Sequence, residues 1–156
     1  MQKDNVRDYA TSAFRLYAAM GRPTYDEAAQ DIYNKAIADC GLKDPEMAVS
    51  IAEAAVNQAS PLLLDILAAE KTLDILERGG KAHIVRAVED VYFVQPTQPL
   101  RRGDITARVN RHSIMTPTSV PSVYRCLKEA RMLFAAIRGL RLPAGWEKYK
   151  VDSSAV

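Results

Sequence analysis

Several features that would narrow the function of this 156-residue chain are scarce or missing. It has two cysteines, Cys40 and Cys126, and their separation matches neither a zinc-binding nor a redox motif. We expect both to be reduced thiols of a cytoplasmic protein. No stretch approaches the roughly 18 consecutive apolar residues of a membrane span. The N-terminus also lacks the apolar segment of a signal peptide.

Catalytic and metal-binding motifs are missing as well. The two histidines, His83 and His112, have no cysteine, histidine or aspartate at a spacing typical of zinc. A site assembled from both histidines and both cysteines is the one metal alternative. The pair Gly79-Gly80 lacks the lysine and serine that continue a phosphate-binding loop. The sequence therefore favours a protein that is not an enzyme and needs no cofactor.

The charges are distributed unevenly along the chain. Residues 1–100 carry 10 Lys/Arg against 15 Asp/Glu, whereas residues 101–150 carry 11 Lys/Arg against 3 Asp/Glu. The net charge of +2 hides this division. A basic C-terminal part is typical of contact with a polyanion, and the acidic N-terminal part is expected to have a different role.

Helix signals recur throughout, whereas no convincing alternating strand is present. Thr24 and Glu27 form a capping-box pattern, and Asp44-Pro45 combines a cap with a proline suited to the first turn. Ser60-Pro61 repeats that signal, with a kink inside one long helix as the alternative. The sequence predicts an all-α multi-helix bundle. Apolar positions expected to face its core include Leu16, Met20, Leu63, Ile66, Leu67, Leu73 and Ile75.

The C-terminal third carries the candidate function. A helix over residues 81–94 is followed by a proline-containing linker at 95–99. Asp104 is placed to cap a short helix ending near His112 or Ser113. A connection over 114–118, longer than the three or four residues of a tight turn, leads to a helix over 119–138 that ends at Gly139. Residues 104–140 thus predict a helix-turn-helix.

The last of these helices has two distinct faces. Val123, Leu127, Ala130, Phe134 and Ile137 fall on an inward stripe. Ser122, Arg125, Lys128, Glu129 and Met132 fall on the opposite, outward face. Arg125 is suited to a guanine edge and Ser122 to a base or phosphate, whereas the preceding arginines suit phosphates. The candidate DNA-binding residues are Arg101, Arg102, Arg108, Arg111, Thr118, Ser119, Ser122, Arg125 and Lys128.

Three segments carry a resemblance to a known group of proteins. They are AVEDVYF at 87–93, GDITARV at 103–109 and SVYRCLKEAR at 122–131. The segments resemble phage-encoded transcription regulators, which are similar to the promoter-reading helix-turn-helix of RNA polymerase sigma factors and to phage late-gene activators. The resemblance covers roughly the last 70 residues. It implies recognition of duplex DNA and a role in transcription.

These observations lead to one main hypothesis and one rival. Residues 1–80 are expected to supply core, oligomer or partner contacts, residues 81–142 a DNA-binding region, and residues 143–156 a tail. The main hypothesis is a phage-derived transcriptional regulator that binds duplex DNA, with RNA polymerase and a second copy as further candidate partners and no membrane contact. The rival is a helical protein-interaction or structural module whose arginines meet an acidic partner or solvent.

Overall fold

A computed structural model describes residues 5–41 and 44–142 of the chain. Within these residues it contains seven helices and no strand, so the expectation of an all-α fold is confirmed. The predicted tail at 143–156 lies outside the described residues. The helices are α1 (Asn5–Ala19), α2 (Tyr25–Cys40), α3 (Pro45–Gln58), α4 (Ser60–Arg78), α5 (Ala82–Tyr92), α6 (Asp104–Met115) and α7 (Val120–Arg138).

The chain forms two compact units. The first unit contains the described residues up to Arg22 and those from Ala68 onward, and the second unit is Pro23–Leu67. The chain passes between them at residues 22–23 and 67–68. The boundary expected at residue 80 therefore falls inside the first unit, where α1 packs with helices of the C-terminal half.

The second unit pairs α2 with α3, and its helix ends follow the sequence signals. The Thr24 hydroxyl accepts a hydrogen bond from the Glu27 amide at 3.1 Å, and the Glu27 carboxylate accepts from the Thr24 amide at 3.3 Å. Asp44 caps α3 by accepting from the Glu46 amide at 3.0 Å. Both predicted caps are confirmed. Alanines buried on the two helices allow a close approach of their backbones: Ala28, Ala48 and Ala52.

The prediction that Ser60 caps a helix beginning at Pro61 was wrong by one residue. Ser60 is the first residue of α4, and Ala59 alone separates α4 from α3. The Leu63 amide donates to the Ala59 carbonyl at 3.0 Å, so the helical hydrogen bonds resume directly after the break. Pro61 has no amide hydrogen and fits this first turn without losing a bond. Along α4, Leu63, Ile66 and Leu73 are buried as expected, Leu67 is half-buried, and Ile75 is exposed, against expectation.

The core of the first unit surrounds α5. One face of this helix buries Ile84, Val88 and Val91, and the helix packs against α1, α6 and α7. The Phe14 ring lies 5.3 Å from the ring of Phe134 and 6.1 Å from that of Tyr92. These aromatic contacts join the N-terminal helix to α5 and α7, and each such pair adds about 0.5–1.5 kcal/mol beyond the burial of its area.

A buried arginine on α1 organises the segment that follows α5. Arg15 is 7% exposed, and its guanidinium donates to the carbonyls of Tyr92 (3.0 Å), Val94 (3.2 Å), Gln95 (3.0 Å) and Gln98 (2.6 Å). The segment at 95–99, predicted as a linker, therefore joins α5 to α6 inside the first unit. Leu16 on the same helix and Met20 directly after it are exposed, also against expectation.

Candidate nucleic-acid interface

Helix α6 begins at Asp104, one residue earlier than predicted from a cap at Asp104. Its N-cap is Gly103, whose φ of 89° is the left-handed conformation that favours glycine. Asp104 is the first helical residue, and its carboxylate accepts from the Arg101 amide at 2.8 Å. The expected cap at Asp104 was therefore wrong. The carboxylate instead closes the turn that presents Arg101 and Arg102, both of which are exposed.

The connection between α6 and α7 is shorter than expected. Helix α6 continues to Met115, so only residues 116–119 lie between the helices, and the expected connection at 114–118 was wrong. The Thr116 amide and hydroxyl both donate to the His112 carbonyl, at 3.0 and 2.7 Å, which adds a final turn. The Thr118 amide donates to the Ser113 carbonyl at 3.2 Å, and the Ser113 hydroxyl donates to the Thr118 carbonyl. The turn is thus held at both ends.

Helix α7 has the ends that the sequence predicted. Ser119 is the N-cap and accepts from the Ser122 amide at 3.3 Å, and Gly139 ends the helix in the left-handed conformation with a φ of 79°. The expected inward stripe is confirmed for four residues, and Ile137 is half-buried. The four buried members are Val123, Leu127, Ala130 and Phe134.

The outward face of α7 differs from the predicted one. Met132 is only 1% exposed, so its outward placement was wrong. Glu129 is half-buried and accepts from the Lys81 ammonium at 2.5 Å. Both α1 and α5 pack on α7, so a wider arc of this helix is covered than a single stripe predicts. The exposed residues of the first two turns share the spacing of one helix face: Pro121, Tyr124, Arg125 and Lys128.

A small polar network lies at the start of this exposed face. The Ser119 hydroxyl donates to the Ser122 hydroxyl at 2.8 Å, and the Arg125 guanidinium donates to the same Ser122 oxygen at 3.2 Å. Ser122 and Thr118 are half-buried, whereas Ser119 and Arg125 are exposed. The network orients the Arg125 side chain, which remains exposed. Arg125 can then meet a flat, hydrogen-bonding ligand surface at a lower cost in side-chain entropy.

The arginines expected on α6 have different roles. Arg111 is exposed, like Arg101 and Arg102 before the helix. Arg108 is half-buried and donates to the Val91 carbonyl at 3.1 Å, which ties α6 to the end of α5. Arg108 therefore has a structural contact that the sequence did not indicate. The residues around an arginine in the sequence do not distinguish a solvated side chain from one bonded to a distant carbonyl.

The sequence also did not indicate a polar contact between α5 and α6. His112 is buried, and its Nδ1 lies 2.6 Å from an Asp90 carboxylate oxygen on α5. Nearby, burial and then Glu129 raise the pKa of the Cys126 thiol, an effect that Arg125 opposes. The thiol is therefore protonated at neutral pH and is a poor nucleophile.

No group of three or more histidines, cysteines or carboxylates suited to a metal occurs in residues 5–41 and 44–142. Over the same residues, no helix combines the length and apolar character needed to cross a membrane. The exposed face of α7, the turn before α6 and Arg111 remain as the candidate interface. No family model matches the chain, and neither a curated protein nor a solved structure matches it.

Proposed function

We propose that this protein binds duplex DNA with α7 as the recognition helix and acts as a transcriptional regulator. The observation that carries the proposal is the exposed face at the start of α7, where Arg125 and Lys128 follow a four-residue connection from α6. A helix of this kind fits the major groove with its N-terminal residues at the base edges. Arg125 is the residue proposed to contact a guanine.

The exposed cations of α7, of α6 and of the turn before α6 would supply the affinity. Arg101, Arg102 and Arg111 are accessible, and with Lys128 they are proposed to neutralise phosphates. Arg108 belongs to the support of α6, and we assign it no DNA contact. RNA polymerase and a second copy of the chain are further proposed partners. Two copies would read paired half-sites if they associate about a two-fold axis.

Selection of bound sequences from a random duplex pool tests binding and specificity together. We expect an enriched motif containing guanine. Arg125→Ala should weaken binding to that motif by roughly 1–3 kcal/mol and relax the preference at one position. Arg102→Ala should weaken binding to all duplexes by a similar factor.

The matched control for these variants is Arg78→Ala. Arg78 is exposed at the end of α4 and pairs with Asp74 at 3.0 Å, so this substitution removes the same charge from a helix that is not part of the candidate interface. It should leave DNA binding within about twofold of the parent, because distant exposed charges are largely screened by salt. Equal losses in Arg78→Ala and Arg125→Ala would show that only net charge matters and would contradict the assignment of Arg125.

A protein-interaction module is the second candidate, and one observation favours it. Ile114 and Met115, at the end of α6, are 79% and 71% exposed. Exposed apolar side chains of this size are common at interfaces with partners. If this candidate holds, Ile114→Ser and Met115→Ser abolish capture of a partner by the intact chain while Arg125→Ala has no effect on any duplex.

A further inference from the structure

A half-open groove in the first unit shares Tyr124 with the exposed face of α7 but contains none of the cations proposed to contact DNA. It has a volume of about 530 Å³ and is bordered by α1, by α6 and α7, and by the end of the segment that precedes α6. Its apolar lining includes Leu100, Ile105 and Leu127, and its aromatic lining includes Tyr92 and Tyr124. A volume of this size lies within the ~300–1,000 Å³ range of small-molecule sites.

One charged side chain in the groove is incompletely bonded. Arg131 donates from Nη1 to the Tyr92 hydroxyl at 2.8 Å, which fixes the guanidinium. Its Nε is covered from solvent and has no acceptor among the described residues. A buried donor of a charged group without an acceptor is costly, and such a group commonly marks a place where a water, an ion or a ligand binds.

The other arginine of the groove is differently placed. Arg7 lies at the rim and pairs with Asp8, with 3.5 Å between its Nε and the carboxylate, and both side chains are more than half exposed. The groove therefore holds one half-buried arginine whose covered Nε has donor capacity left over, next to an apolar wall. That combination suits a ligand with a single negative charge and an apolar body.

We propose that this groove binds a small monocarboxylate with an aromatic body. The carboxylate accepts from the Arg131 guanidinium, whose planar donors match the two carboxylate oxygens. Its ring packs between Tyr124 and the apolar wall of Ile105 and Leu127. The inference does not rest on DNA binding, because Arg131, Ile105 and Leu127 are not proposed to contact DNA; Tyr124 is the one groove residue on the exposed face of α7.

The groove also touches both helices of the candidate interface. Ile105 lies on α6, whereas Tyr124 and Leu127 lie on α7. A ligand held there contacts both helices at once and would stabilise their relative arrangement. Only a difference in ligand affinity between two such arrangements would make it an effector, so binding itself is the property to measure first.

The test is a two-dimensional NMR titration of the full chain with phenylacetate. Phenylacetamide serves as the control that has the ring but no charge, and acetate as the control that has the carboxylate but no aromatic ring. We expect saturable shifts of the amides of Ser12, Tyr124 and Arg131, with a Kd on the order of 1 mM for so small a probe. The two controls should bind at least about tenfold more weakly, because each lacks one of the two contacts.

Two variants separate the proposed site from a general surface effect. Arg131→Gln removes the cation, and Ser12→Trp fills the groove from an exposed position on α1, where it spares the core. Each should weaken phenylacetate binding at least about tenfold. Arg78→Gln is the charge-matched control and should bind phenylacetate like the parent, because Arg78 is exposed and does not line the groove.

Three outcomes overturn the proposal. They are the absence of saturable shifts, equal binding of phenylacetamide, and Ser12→Trp binding phenylacetate as tightly as the parent. The last outcome decides the matter even if Arg131→Gln fails to fold through loss of its Tyr92 contact. Loss of DNA binding in the selection experiment would leave these results unchanged, so the two proposals fail separately.

Discussion

Arg15 provides the sharpest test of how the first unit is held together. Its guanidinium donates to the carbonyl of the last residue of α5 and to three carbonyls after it, the first bond being buried and the other three partly buried. Burial, and next the charge of Arg108, lower the pKa of Arg15 from its ordinary value, and Asp104 raises it. An arginine keeps its charge despite such a shift. The four carbonyls therefore have a permanent cation as their donor.

The cost of removing this cation can be worked out from those bonds. Hydrogen bonds to a charged group contribute about 1.5–3 kcal/mol each, but four bonds from one group are not additive. Three of the carbonyls can turn partly toward water, which reduces the loss. Arg15→Met keeps most of the apolar stem and should lower the free energy of unfolding by about 3–4 kcal/mol. Against a typical total of about 5–15 kcal/mol, such a loss is large.

Urea denaturation followed by far-ultraviolet circular dichroism measures this loss. Arg7→Met is the matched control, because Arg7 lies on the same helix and makes an exposed pair with Asp8 at 3.5 Å. It should cost less than about 1 kcal/mol. Arg15→Lys should fall between the two, since one ammonium has fewer donors to share. A loss below about 1 kcal/mol in Arg15→Met, or a loss equal to that of Arg7→Met, would refute the reasoning.

Three further predictions concern α7. Phe134→Ala should destabilise the protein by about 3–5 kcal/mol in the same denaturation assay, because it removes a fully buried ring that contacts Phe14; a loss near zero would show that the two helices do not pack. Ser119→Ala should cost about 1 kcal/mol by removing the N-cap, and an unchanged midpoint would argue against the cap. Cys126 should react with iodoacetamide at pH 8 more slowly in the folded protein than in urea, because burial raises its pKa and lowers its thiolate fraction; equal rates would contradict this.

The parts of the fold that were predictable depend on local chemistry. The Thr24 capping box, the Asp44 cap, the Ser119 start and the Gly139 end all involve residues a few positions apart. Side-chain caps and left-handed glycines act within one helical turn, so their signals are visible in the sequence. The inward stripe of α7 was predictable for the same reason, because helical periodicity is a local property.

The parts that were missed depend on contacts between distant residues. Met132 is buried because neighbouring helices cover a wider arc of α7 than a single stripe. A local sequence pattern does not indicate that a second helix packs on the same element. The role of Arg15 was not predicted and Arg108 was expected to contact DNA, because their acceptors are carbonyls 17 or more positions away in the sequence. Buried arginines bonded to carbonyls are rare enough that exposure was the natural expectation. Of the nine DNA contacts predicted from the sequence, Arg108 donates to the Val91 carbonyl, Ser119 caps α7 and Thr118 is bonded in the turn before α7.

The most direct test of the central claim is the salt dependence of DNA binding by the full chain. Fluorescence anisotropy with a labelled mixed-sequence duplex, measured from 50 to 200 mM salt, gives the slope of log affinity against log salt. If Arg101, Arg102, Arg111 and Lys128 each neutralise one phosphate, the slope should be about −3 to −4, since each contact contributes about −0.9. No binding at 50 mM salt, or an affinity that does not change across the titration, would contradict the proposed function.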